Sequence, residues 1–248
     1  MRYDGGKGAM GVAQWIINQV PPHRIYIEPF LGGGAILRLK APAGSSIGIE
    51  RDARAVALWK KHTIPDLRVI CGDAISWLEK FKPVGDEFIY CDPPYLFSTR
   101  SSGATYRFEL SDADHKRLLS ILKRLRCSIA ISGYWSALYA RELSGWRTSR
   151  FLTTKRNHAR AEEWLWMNYP EPVTLHDYRY LGRNFRERER IKRKKTRWRN
   201  RLERMPLLER RLLVATLAEF DADRSCIDVG SDVTRHRRRR RLAPERIV

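Results

Sequence analysis

Over the first two thirds of the chain, short apolar runs alternate with stretches whose apolar residues recur three and four positions apart. Residues 25–28, 46–50, 67–71, 87–91 and 128–132 are rich in Ile, Val, Tyr and Phe and have strand length, so they read as buried strands. Residues 34–40, 52–62, 74–81 and 112–125, which lie between them, keep the helical period. Ser111, followed three positions later by Asp114, is a capping start for the last of these helices. Strands and helices in this rhythm predict βαβ units with right-handed crossovers: an α/β fold with a doubly wound, mostly parallel sheet. Residues 164–169 read as one more, late strand, and no internal repeat is visible.

Beyond residue 178 the pattern changes. Residues 183–204 suit a helix that is polar nearly all round, and 207–220 suit an apolar helix after Pro206, a proline placed for a first turn. Residues 235–241 are a block of Arg and His with nothing to pack. The expected organisation is a folded body over 1–178, a basic helical extension over 179–220 and an Arg-rich tail over 221–248.

Composition sharpens this division. The chain has 248 residues, 43% of them hydrophobic and 10% aromatic, which is ample for a core and excludes a wholly disordered chain. Its formal charge is +20, of which 1–178 carries +7 and the much shorter 179–248 carries +13. So large a charge repels itself in a compact chain and calls for an anionic partner, most simply nucleic acid. A membrane surface suits it less, because the arginines do not face a broad apolar helix side. No apolar run approaches the roughly 18 residues of a membrane span, and the start lacks the apolar run of a signal peptide. Cys71, Cys91, Cys127 and Cys226 have no CxxC spacing, and the six histidines no metal-ligand spacing. Reduced thiols, no metal and a cytoplasmic setting follow as expectations.

Candidate chemistry gathers at the ends of the expected strands, where open parallel sheets bind ligands. Asp92-Pro93-Pro94-Tyr95 follows the strand 87–91. Its two prolines stop the ladder and stiffen the turn. A carboxylate beside a rigid carbonyl aims two acceptors at one amino group, and the neighbouring ring offers a stacking face for a planar base. Glu28-Pro29-Phe30-Leu31-Gly32-Gly33-Gly34 again follows a strand and opens a helix, and its glycines let the backbone approach a ligand closely. It has neither the GxGxxG spacing nor the Lys-Ser/Thr ending of a P-loop. Glu50, closing the second strand, suits the two hydroxyls of a ribose; Asp73, after the third, suits either an adenine amino group or the cap of the next helix.

Taken with Gly5-Gly6-Lys7 near the start and Glu162-Glu163-Trp164-Leu165-Trp166-Met167-Asn168-Tyr169, these residues resemble the Dam-type, S-adenosylmethionine-dependent DNA adenine N6-methyltransferases over roughly the first 170 positions. The resemblance implies a Rossmann-like methyltransferase domain with S-adenosylmethionine as cofactor. It implies that Gly6 and Lys7 lie by the methionine part of the cofactor and that Phe30, Gly32 and Gly34 line its pocket. Glu50 would hold the ribose and Asp73 the adenine, with Glu28, Pro29, Arg51, Ala74 and Asp92 completing the cofactor surroundings. It implies further that Asp92, Pro93 and Pro94 grip the target amino group while Tyr95 stacks on an everted base.

One departure stands out. Family members usually carry a long sequence-reading insertion between the Asp73-type and DPPY positions, and here only the eighteen residues 74–91 intervene. Contacts to flanking DNA are then expected from Arg100 and Arg107, or from the extension through Arg186, Arg190, Arg193, Lys194, Arg197 and Trp198, with short or relaxed sequence preference. DPPY alone does not separate DNA adenine from RNA adenine or DNA cytosine N4, and a non-catalytic nucleic-acid binder of the same fold is the rival from another class. A prokaryotic or phage setting, with restriction–modification as one context, goes with the family.

Overall fold

The computed structural model describes residues 7, 11–100, 107–154 and 160–221. The expected strands form as β1 (Ile25–Glu28), β2 (Ser45–Glu50), β3 (Leu67–Cys71), β4 (Glu87–Cys91) and β5 (Ser128–Gly133). The expected helices form as α2 (Ala35–Leu39), α3 (Ala53–Trp59), α4 (Ala74–Lys80) and α5 (Asp112–Arg124). Ser111 and Asp114 close a reciprocal capping box on α5: each side chain accepts from the other residue's backbone N–H, at 3.1 and 2.9 Å.

Among the described residues, two α-helices and a strand are additional to the sequence reading, α1 (Val12–Ile17), α6 (Ala137–Glu142) and β6 (Arg147–Thr154), besides a 3-10 turn at Phe97–Thr99. The two helices have six residues each, too few to show a period. β6 (RTSRFLTT) lies at the sheet's edge and carries little of the apolar run that marks a buried strand. The late strand, β7, spans Arg160–Met167 and so begins earlier than expected. Asn168, just past it, accepts from the Ile129 N–H and donates to the Cys127 carbonyl, both at 2.8 Å, and pins the start of β5.

The sheet order is β3-β2-β1-β4-β5-β7-β6. β1 to β5 pair in parallel, and β7 inserts antiparallel between β5 and β6. This is the doubly wound, mostly parallel α/β arrangement read from the pattern. Side chains leave a strand on alternate faces, and the two faces have separate cores. Ile27, Ile89, Cys91, Ile129 and Ile131 pack with α4, α5 and α6, whereas Tyr26, Phe88, Tyr90 and Ala130 pack with α1, α2 and Trp59. Burial on both faces explains why β1, β4 and β5 read as continuous apolar runs rather than alternations.

The chain divides into two compact units, Met1–Glu189 and Arg190–Val248. Helix α7 (Phe185–Glu203) begins in the first and supplies the start of the second, and a further helix, α8, covers 207–221. Pro206 precedes α8, and its carbonyl accepts the Arg210 N–H at 3.0 Å. The tail expected over 221–248 lies, apart from Asp221, outside the described residues, as do Gly5, Gly6 and Cys226.

Candidate active site

β1 and β4 are neighbours, but from β1 the sheet extends one way through β2 and β3 and from β4 the other way through β5. A crevice at the carboxyl ends of such strands is where open α/β sheets bind ligands. Glu28 ends β1, Glu50 ends β2, Asp73 follows β3 and Asp92 follows β4, so the four acids stand along this one edge.

The glycine turn is built by sterics. Gly32 (φ 45°) and Gly34 (φ 56°) are left-handed, and a Cβ on Gly34 would meet the Trp59 ring at 2.5 Å. Trp59 also donates its indole N–H to the Gly32 carbonyl at 2.9 Å. Glu50 locks the turn from the other side: one carboxylate oxygen accepts the Gly32 N–H and the other the Asp52 N–H, both at 2.8 Å. Each oxygen keeps a further lone pair. Asp73 caps α4 by accepting the Ser76 N–H at 2.8 Å, and its other oxygen lies 3.9 Å from Arg51, whose guanidinium sits over the Phe108 ring. The capping alternative is therefore realised, and one oxygen of Asp73 remains outside the cap.

Glu28 is buried and accepts the Tyr26 hydroxyl at 2.8 Å. Burial, with the negative charge of Asp92 adding to it, pushes its carboxyl up to about 8. Lys40, buried with its ammonium 4.2 Å from the Tyr26 ring centre, is pulled down to about 8 by the same desolvation.

The densest constellation surrounds Asp92. Lys7 is 4% exposed; its ammonium is 2.8 Å from Asp92 Oδ1 and 3.3 Å from Glu163 Oε2, and it donates to the Tyr95 hydroxyl at 2.6 Å. Tyr95 passes the polarity on by donating to Glu163 Oε2 at 2.6 Å. Ser132, on β5, donates to Asp92 Oδ1 at 2.8 Å, which leaves its oxygen as acceptor for the Tyr90 hydroxyl at 3.1 Å. Both Asp92 contacts thus fall on Oδ1. Burial raises the Asp92 carboxyl above its ordinary range, and Lys7 opposes that rise. The Tyr95 ring meets Tyr134 edge-on with centres 4.8 Å apart.

Arg100 is turned inward. Its side chain is 6% exposed, donates to the Tyr95 carbonyl at 2.6 Å and forms a two-pronged pair with Glu109. It braces the DPPY turn instead of standing in solvent. Arg107 is half exposed and pairs with Asp52 at 3.1 Å. Arg186, Arg190, Arg193, Lys194, Arg197 and Trp198 are exposed along α7. Phe30 packs half-buried against the core, Pro29 is buried and Ala74 opens α4.

Two participants, Ser132 and Glu163, were not on the sequence's candidate roster. Glu163 had a readable signal: on β7 it shares the face of the buried Leu165 and Met167, an inward position for a charge. No group of three metal-ligating side chains occurs among the described residues, nor any helix long and apolar enough to cross a membrane.

Comparison with known families bears on the middle of this arrangement. The model of the D12 class N6 adenine-specific DNA methyltransferase family matches residues 51–146. That stretch contains Asp73, the DPPY turn, Ser132 and Trp135, whereas Lys7, Glu28, the glycine turn, Glu50 and Glu163 reach the same edge from outside the D12 match. No curated protein sequence matches the chain. Among solved structures, an rRNA methylase from Streptococcus thermophilus is 14% identical, with 62% of this chain and 92% of that one covered and a TM-score of 0.41. A SAM-dependent methyltransferase from Agrobacterium tumefaciens is 13% identical, with 63% and 60% covered and a TM-score of 0.42. A precorrin-8w decarboxylase from Methanobacterium thermoautotrophicum is 15% identical, with 66% and 91% covered and a TM-score of 0.41.

Proposed function

We propose that the protein is an S-adenosylmethionine-dependent methyltransferase acting on the exocyclic N6 amino group of adenine in DNA. The observation that carries this reading is Asp92: a carboxylate at the switch point of the sheet, inside the D12 match, held through one oxygen by Lys7 and Ser132 and followed by a buried tyrosine.

The residues fit the cofactor. The carboxylates of Glu50, Asp73 and Asp92 along the edge suit a sulfonium cation in a protein otherwise strongly positive. Glu50 retains acceptor capacity for a ribose diol, and the oxygen of Asp73 outside the cap suits an adenine amine. A Cβ added at Gly72 would touch nothing within 4 Å, so the ground beside Asp73 is open. When bound, S-adenosylmethionine supplies the electrophilic methyl group.

The chain's own contribution is alignment. The lone pair of an adenine amino group is delocalised into the ring. Acceptors at Asp92 Oδ2 and the Pro93 carbonyl would draw its two protons toward one side and favour a pyramidal nitrogen. The Tyr95 ring, fixed through its hydroxyl by Lys7 and Glu163, gives the base a face to lie on. Positioning and preorganised electrostatics then carry the acceleration. Because the amino group is held within a paired stack, the base must leave the duplex.

The test is methyl transfer from labelled cofactor to DNA and RNA oligonucleotides of mixed sequence, followed by nucleoside analysis. N6-methyladenine in DNA is the expected product. Exclusive modification of RNA, or of cytosine N4, would reassign the substrate, and no transfer to either polymer would leave a binding protein. Asp92→Ala is expected to lower kcat by about 10²-fold or more while nucleic-acid affinity stays within about twofold.

A further inference from the structure

Beside the catalytic turn lies a second, differently built recess, which the chemistry above does not use. It is an open cleft of about 490 Å³, lined by Ser98 and Thr99 after the DPPY turn, by Tyr134, Trp135 and Ser136 after β5, and by Glu162 on β7. Ligand pockets run from about 300 to 1,000 Å³, so the cleft is large enough for one small planar group. It adjoins the reacting edge directly, since Tyr134 lies edge-on against the Tyr95 ring.

Trp135 is the anomaly of this cleft. Indoles are costly to leave in water, and Trp59 and Trp166 are 3% and 2% exposed, yet Trp135 is 53% exposed. Trp198 on α7 is the other exposed tryptophan of the eight. Local structure holds Trp135 in place. It follows the last β5 residue by two positions, and its neighbour Ser136 caps α6 by accepting the Tyr139 N–H at 3.2 Å. The ring is thus anchored on both sides of the sequence at the carboxyl edge of the sheet. Around it the cleft is polar: four hydroxyls (Ser98, Thr99, Tyr134 and Ser136) and Glu162, whose carboxylate is 46% exposed and has Arg150 at 3.7 Å.

A half-exposed indole with hydroxyls and a carboxylate around it is the equipment for a nucleobase. The aromatic face stacks on any base, and a carboxylate accepts from an exocyclic amine. We propose that this cleft is a second base-binding subsite, in which Trp135 stacks on the nucleobase next to the methylated one and Glu162 favours a base bearing an amino group. The inference rests on the methyltransferase reading for the identity of the neighbouring site, and it supplies a reading element where the inserted domain of related enzymes is missing.

The test uses the full chain labelled with 5-fluorotryptophan, the Trp135 resonance being identified by its loss in Trp135→Phe. Titration with the dinucleotides d(ApC) and d(ApT) is expected to move that resonance to saturation, with d(ApC) binding more tightly. Glu162→Gln is expected to make the two equal, and the ribose dinucleotides r(ApC) and r(ApU) distinguish DNA from RNA as the source of the base. A Trp135 resonance that no dinucleotide moves overturns the proposal. In methyl-transfer assays on oligonucleotides, Trp135→Ala is expected to raise KM about tenfold, as loss of one stacked base implies, with a smaller effect on kcat and recovery in Trp135→Phe. An unchanged KM overturns it equally. Movement of the Trp135 resonance in a protein that methylates nothing sinks the enzymatic assignment and leaves the subsite standing.

Discussion

At the sheet edge Lys7 is 4% exposed, and its ammonium has two carboxylates and a tyrosine hydroxyl within 3.3 Å. Along α7 the cations are many and stand in water: Arg186, Arg193, Arg197 and Arg201 are all exposed, and the ion pair Arg199–Glu203 is more than half exposed at both ends. Charge therefore works in two ways in one chain. In the dry edge a few groups are strongly coupled, and losing one strands its partners. On the helix each charge is screened and nearly independent, so its effect on folding is small and any effect on an anionic partner is additive.

The widest gap between the two regions should open at Lys7 itself. Lys7→Met takes the ammonium away from Asp92 and Glu163, and breaking such a buried cluster costs about 3–5 kcal/mol. Denaturant unfolding at pH 7 is expected to show that loss, and the defect should shrink at lower pH as Asp92, whose carboxyl burial already raises, takes up a proton. Adding Glu163→Gln should restore part of the stability by removing one stranded charge. A Lys7→Met protein as stable as the parent would mean that the edge is as well solvated as α7.

Next in size is the glycine turn beneath the acids. Gly34→Ala demands a left-handed backbone for a residue with a Cβ, and the new methyl meets Trp59 at 2.5 Å. Strain and overpacking together amount to about 2–4 kcal/mol, to be read as a lowered Tm. Gly72→Ala, at an ordinary backbone angle with empty space beyond, is the matched control and should cost little.

The buried edge should also impose a pH dependence that the helix lacks. Glu28 titrates near 8 in the folded protein against an ordinary 4.5. Between these values the folded chain holds a proton that the unfolded chain has released, so stability falls as pH rises across the window. The slope from this one group approaches 1.4 kcal/mol per pH unit. Glu28→Gln keeps the neutral shape and an acceptor for Tyr26, and should flatten the slope. An unaltered profile would show that Glu28 stays charged in the fold.

Much of this was legible in the residues. The strands that carry the four acids show as apolar runs: β1 and β4 because both their faces are buried, and β3, at the sheet's edge, through Leu67, Val69 and Ile70. The glycine turn and the DPPY turn announce themselves through residues that few other backbones need. Less legible was what each side chain touches. Arg100 looks like any exposed arginine until the fold puts Glu109 and the Tyr95 carbonyl beside it. Ser132 and Glu163 come from β5 and β7, far along the chain from Asp92, and long-range partnership leaves no local period. β6 failed to show as a strand because an edge position asks little apolar content of it.

The smallest effects are expected on α7, and they decide what its charge is for. Arg186, Arg190, Arg193, Arg197 and Arg201 recur at steps of three or four residues, which places them on one side of a helix with 3.6 residues per turn. Glu187 and Glu189 flank that side, Glu203 lies away from it, and Arg188, Lys195 and Arg199 stand on the opposite side. Such a row matches a run of phosphates better than a merely solvated helix needs to. Arg193→Ala or Arg197→Ala should leave stability within about 0.5 kcal/mol. Each should nevertheless lower the slope of log affinity against log salt for duplex DNA by about 0.9, since one phosphate contact and its released counterion are lost. Lysine at the same position keeps the charge and should keep the slope, whereas Glu203→Ala, off the row, should not lower it. Equal slopes in the parent, Arg193→Ala and Arg197→Ala would mean that the row touches no phosphate, and the contrast with Lys7 would then lie between a charge that holds the site and charges that only keep the chain in solution.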